Sequence, residues 1–141
     1  EDRYDMVNVA VSGNPAMAAS RIELDRQGPS YTVDTLRIVQ AEHPDADLFL
    51  ILGEDSVADL PLWKDFETIM ELATILAIPR PGHFDIPEAV QTRCDHVPFD
   101  PRDESSTHIR LSLEKGETLD GRLPSATAAI IEENNIYHVD P

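Results

Sequence analysis

Ser105-Ser106-Thr107 sets three hydroxyls in a row, and Arg110 follows one helical turn later. Ser105 suits an N-cap, which puts the hydroxyls of Ser106 and Thr107 in the first turn of a helix, beside free N–H groups and the positive end of the helix dipole. The planar fork of Arg110 suits phosphate oxygens. An ordinary capped helix explains Ser105 equally well, but not the run of hydroxyls with an arginine behind it. A second stretch, Leu48 to Leu52, is apolar and ends in Gly53-Glu54-Asp55. Ligands of open parallel sheets bind beyond the carboxyl ends of strands. Gly53 lets backbone approach a ligand there, and Asp55 can accept from a ribose hydroxyl pair. The plainer reading is a strand-ending turn in which Asp55 caps Ser56 to Leu60. Trp63, the only tryptophan, follows Leu60-Pro61-Leu62. It can stack on a flat heterocycle, but a tryptophan so placed more often covers the core, and the residues alone favour that reading. Lys64 beside it reads as solvent-exposed. Thr32 reads as the N-cap of a further helix, and Arg80 is a cation near the same sheet edge.

Elements must position these groups. Residues 2–11 read as a helix with Met6, Val7, Ala10 and Val11 on one face, and Ser20 to Asp25 alternates like a strand. After the turn at Gln27-Gly28-Pro29, a helix is expected over 32–42, with Val33, Leu36 and Val39 inward and Pro44 beyond its end. Asp47–Leu52 and Thr74–Ile78 read as buried strands with apolar residues on both faces, and His96–Phe99 as a short third one. Between them Asp65 is expected to cap a helix that buries Phe66, Ile69, Met70 and Ala73. Pro79 to Pro101 reads as an irregular excursion. Ser105 and Pro124 open two further helices, closed at Lys115-Gly116 and Asn134-Asn135. Strands alternating with helices give an α/β class with a mostly parallel sheet.

Bulk properties narrow the function. The chain has 141 residues, 41% of them apolar, enough for one domain with its own core. A net charge of −16 argues against nucleic acid and anionic membrane surfaces. Cys94 is the only cysteine, which excludes an intramolecular disulfide and fits a reducing cytoplasm. No apolar run approaches the ~20 residues of a transmembrane helix. Nucleotide-binding G-x-x-x-x-G-K-[ST] and G-x-G-x-x-G motifs are absent, as is a G-x-S-x-G elbow, and the five histidines lack metal-ligand spacing. The chain opens on Glu1 inside a helical pattern, which leads us to expect further sequence upstream.

Taken together, several stretches resemble the bacterial nicotinate-nucleotide adenylyltransferases. They are Gly28-Pro29-Ser30-Tyr31-Thr32-Val33-Asp34-Thr35-Leu36, Ile51-Leu52-Gly53-Glu54-Asp55 with Leu60-Pro61-Leu62-Trp63, Arg80-Pro81-Gly82, Ser105 to Arg110, and Leu123-Pro124 through Ile136-Tyr137. The resemblance runs from about residue 2 to 138. It implies a Rossmann-like, doubly wound parallel sheet of the nucleotidyltransferase type, in a single domain over 1–141 that lacks the family's N-terminal βα unit. It implies adenylyl transfer from ATP to nicotinate mononucleotide, with Mg²⁺ on the ATP phosphates and no metal site on the protein. Gly53 and Asp55 would hold the adenosine, and Ser106, Thr107 and Arg110 the triphosphate. Trp63 would stack on the nicotinate ring, Thr32 would help read its carboxylate, and Arg80 would lie along the nicotinate nucleotide. The family's H-x-G-H element is not in the sequence, so no catalytic residue is assigned. Lys64 stands where an aromatic is common, and Glu104 where an apolar residue usually precedes the serines. The implied partners are these small molecules, with a homo-oligomer left open, and the implied compartment is the cytoplasm. Two alternatives are a non-catalytic nucleotide-binding module and a phosphopantetheine adenylyltransferase, the latter leaving Trp63 and Ser30-Tyr31-Thr32 without a role.

Overall fold

The computed structural model describes residues 1–101, 105–119 and 121–137. In chain order its elements are α1 (Asp2–Val11), α2 (Thr32–Glu42), β1 (Phe49–Gly53), α3 (Glu54–Asp59), α4 (Phe66–Leu72), β2 (Thr74–Ile78), α5 (Glu88–Gln91), β3 (Cys94–His96), α6 (Ser106–Glu114) and α7 (Ser125–Glu133). A 3₁₀ turn, Leu60–Leu62, lies between α3 and α4. The chain divides into two packed units, Arg26–Asp103 and the pair Glu1–Asp25 with Glu104–Pro141.

The first unit is built on a parallel sheet of order β1-β2-β3, in which Phe49 pairs with Thr74, Gly53 with Ile78, and Ile75 with Cys94. Parallel neighbours need crossover connections, and helices supply them here. Side chains alternate across a strand, so Leu50 and Leu52 share a face with Ile75 and Ala77. That face packs into a core with Val33 and Leu36 of α2, Val57 of α3, Leu60 of the 3₁₀ turn and Ile69 of α4. Val33, Val57, Leu60, Ile69 and Ile75 are fully buried. The opposite face differs from the two-sided burial expected of β1: Phe49 is 58% and Ile51 64% exposed. An apolar run cannot by itself say how many of its faces are covered.

The helix expected over 32–42 and the strand over 74–78 form with those bounds. Five details depart from expectation. Ser20 to Asp25 is a turn closed by the Asp25 amide on the Arg21 carbonyl at 2.9 Å, with Leu24 exposed. Among the described residues its alternation finds no neighbouring strand to pair with. The third strand spans Cys94–His96 rather than 96–99, because Cys94 is buried against β2 and Pro98 has no N–H to extend the ladder. Thr32 is the first helical residue and Tyr31 the N-cap, while Gly53 rather than Asp55 caps α3. Asp65 occupies the N-cap of α4 in a left-handed conformation, φ 51°, without a side-chain capping bond. The excursion from Pro79 also holds α5, anchored by buried Val90.

In the second unit α1 packs against α7, and the Thr127 hydroxyl donates to the Met6 carbonyl at 3.4 Å. Leu113 of α6 and Ile131 of α7 are buried. Gly116, φ 69°, closes α6 as its sequence predicts. Glu104 lies outside the described residues.

Candidate functional site

Three groups of the expected residues can be placed. The first surrounds a cavity of about 230 Å³ lined by Ser30, Tyr31, Thr32, Trp63, Lys64 and Ile69. Two chain features form it. Gly28, at φ 84°, turns the chain into the start of α2, a conformation that needs no Cβ. The 3₁₀ turn brings Trp63 alongside, its amide donating to the Leu60 carbonyl at 3.0 Å. Thr32 and Trp63, 31 positions apart in the numbering, thus share one cavity. Trp63 also packs against the core, so its two sequence readings are compatible. Tyr31 provides no side-chain cap, and its carbonyl takes the amides of Asp34 and Thr35. The amides of Thr32 and Val33 have no acceptor among the described hydrogen bonds. They are the first-turn donors that an anion can use.

Charge around this cavity is ordered by a chain of ion pairs. Lys64 Nζ lies 3.2 Å from Asp34 Oδ2 and 4.4 Å from the Tyr31 ring centroid. Arg37 joins Asp34 at 3.4 Å and Asp65 at 3.3 Å. The Lys64 hydrogen bond, with the field of Arg37 behind it, holds the Asp34 carboxyl below the usual range. Sequence spacing gave no sign of this role for Lys64, because its partner is 30 residues away.

The second group stands at the carboxyl ends of the strands. A Cβ on Gly53 would overlap the Asp55 carboxylate and press on Arg80 Cγ and Cδ at 3.1 and 3.2 Å, so the missing side chain lets Asp55 and Arg80 close on the strand end. Arg80 Nε is 3.9 Å from Asp55 Oδ1. Arg80 therefore packs beside Gly53 and Asp55, and it is not among the residues lining the Trp63 cavity. Glu54 is an addition that sequence reasoning passed over. Its carboxylate accepts from the Arg80 amide at 3.4 Å and faces His96 Nδ1 at 3.9 Å, tying the ends of all three strands. The signal was its place between Gly53 and Asp55, where a carboxylate faces the strand ends.

The third group is on α6. Ser105 Oγ accepts from the His108 amide at 3.1 Å, the expected N-cap. Ser106, Thr107 and Arg110 are exposed on the first two turns, with Arg110 Nη2 3.5 Å from Thr107 Oγ1. Hydroxyls, amides and a guanidinium make a donor set suited to phosphate. Among the described residues no three His, Cys, Asp or Glu side chains are grouped to hold a metal.

Residues 1–112 match the cytidylyltransferase-like family. Over 139 residues the chain is 39% identical to a Streptomyces coelicolor protein and 42% identical to one of Thermus thermophilus, each named "Probable nicotinate-nucleotide adenylyltransferase". Each match covers 97% of this chain and 73% of the relative. The chain belongs to the nicotinate-nucleotide adenylyltransferases. The fold agrees with this family: the solved Plasmodium falciparum nicotinic acid mononucleotide adenylyltransferase complexed with NaAD superposes with a TM-score of 0.73 at 20% identity, over 96% of this chain and 73% of that one. As a nicotinate-nucleotide adenylyltransferase the chain is of a transferase family of NAD biosynthesis, with a nucleotidyltransferase-type α/β fold. Among the described residues no helix is long and apolar enough to cross a membrane.

Proposed function

We propose that this chain, within a single nucleotidyltransferase-type domain, holds nicotinate mononucleotide and ATP for adenylyl transfer. A phosphate oxygen of the mononucleotide attacks the α-phosphorus of ATP in line. The bond to the bridging oxygen breaks, and pyrophosphate leaves with that electron pair. The product is the deamido form of NAD. The observation that carries this reading is the cavity shared by Trp63 and Thr32: an indole wall for a flat ring, with first-turn amides of α2 for its carboxylate. Gly53 and Asp55 take the adenosine, and Arg80 lies along the nicotinate nucleotide. Ser106, Thr107 and Arg110 take the triphosphate. Mg²⁺ accompanies the ATP phosphates and neutralises charge there when bound. The protein's own contribution is positioning and electrostatic complementarity. Cytoplasmic location completes the proposal.

Trp63 is the only tryptophan, so tryptophan fluorescence comes from this cavity wall alone. Saturable quenching by nicotinate mononucleotide, with affinity reduced about tenfold in Trp63→Ala as measured by calorimetry, is the expected result for a stacked ring. A wild-type chain that gives neither quenching nor heat would exclude the assignment. Pyrophosphate release that requires both nucleotides separates the enzyme from a module that only binds them.

A further inference from the structure

We infer that Lys64 is a specificity-determining residue, its ammonium selecting a pyridine nucleotide with an anionic ring substituent over one with a neutral amide. The inference rests on the nucleotide assignment above and adds a residue to it.

Among the described residues Lys64 is the only charged one lining the Trp63 cavity. Asp34, Arg37 and Asp65, the other members of its ion-pair chain, are not among the lining residues, so of these charged side chains it is the lysine that borders the cavity. The ammonium is also fixed in place. Asp34 holds it from one side at 3.2 Å, and the face of Tyr31 holds it from another at 4.4 Å to the centroid. An ammonium has three N–H donors, and Asp34 uses one. A carboxylate on a ring stacked against Trp63 can take another, and a neutral amide gains far less from the same charge. Tethering removes much of the side-chain entropy that usually cancels a half-exposed lysine's attraction. Lys64 sits beside Trp63 in the chain, so the stacking wall and the charge move together.

The test compares dissociation constants of nicotinate mononucleotide and nicotinamide mononucleotide, read from Trp63 fluorescence in the 141-residue chain at low and high salt. The wild-type chain should prefer the acid, and that preference should shrink as salt screens the ammonium. Lys64→Met should lower the acid-to-amide preference about fivefold, as expected for a partly screened charge, and flatten its salt dependence. Lys64→Arg should retain the preference. Asp34→Asn, which frees a donor, should not lower it. A Lys64→Met chain with unaltered circular dichroism and the wild-type preference would overturn the inference while leaving the nucleotide assignment intact. Absence of nicotinate mononucleotide binding by the wild-type chain would overturn both.

Discussion

Asp34 is the ion-pair partner of the cation beside the cavity, and its own titration makes that pairing measurable. Its carboxyl is held below the ordinary value of 3.8, chiefly by the Lys64 hydrogen bond. A group with a lowered folded-state pKa contributes stability above its unfolded value, and the contribution disappears as pH falls through the folded one. Asp34→Asn should therefore unfold more easily in urea at pH 7, with the difference from wild type closing below about pH 4. Cys94 behaves oppositely. Burial raises its thiol above the usual range, so aromatic disulfide reagents at pH 8 should label it slowly in the folded chain and at once in urea. Gly53→Ala meets flexible side-chain atoms rather than backbone. It should keep its circular dichroism and displace the Asp55 carboxylate, weakening ATP binding in calorimetry by about tenfold, the loss of one good hydrogen-bonded contact. Of the site residues, Trp63 and Thr32 share a cavity that their separation in the chain does not announce, and the roles proposed for them and for Arg80 rest on the family resemblance rather than on residue type. The pairing of Lys64 was not legible, since a tertiary ion pair leaves no trace in local spacing, whereas Glu54 was signalled only by its place between Gly53 and Asp55.

At the scale of elements, local chemistry was legible where it is self-sufficient. Ser105 caps α6 through its own side chain, and Ser105→Ala should cost about 1 kcal/mol in denaturant unfolding. Helix α2 was readable from Val33 and Leu36 at helical spacing, between Gly28-Pro29 and Pro44. Burial then confirms both inward positions. Ile69→Ala, on the facing helix, should cost about 3 kcal/mol, because a fully buried side chain leaves a cavity. Elements that depend on a distant partner were less legible. Ser20 to Asp25 has a strand's pattern and, among the described residues, no strand paired with it. The third strand begins two residues earlier than its β-rich letters suggest, because Cys94 reads as a core residue only once Ile75 is opposite it.

The whole molecule combines a strong acidic charge with an apolar patch. At −16 the chains repel one another, while Phe49 and Ile51 present exposed hydrocarbon on one face of β1. Raising salt should promote light scattering in wild type, and Phe49→Thr with Ile51→Thr should suppress it at little cost in stability, since neither side chain is buried. The α/β class was legible from the alternation of elements, but the one-sided cover of β1 was not, because composition does not say which face is packed. The pairing of α1 with α7 has a temporal consequence. Residues Arg26–Asp103 are contiguous and can pack as they are made, whereas Met6 and Thr127 bond across 121 positions. At a synthesis rate of about 10 residues per second, α1 waits on the order of 10 s for its partner. It has no fully buried residue even in the finished fold, so until α7 emerges this helix is the segment most open to chaperones and proteases.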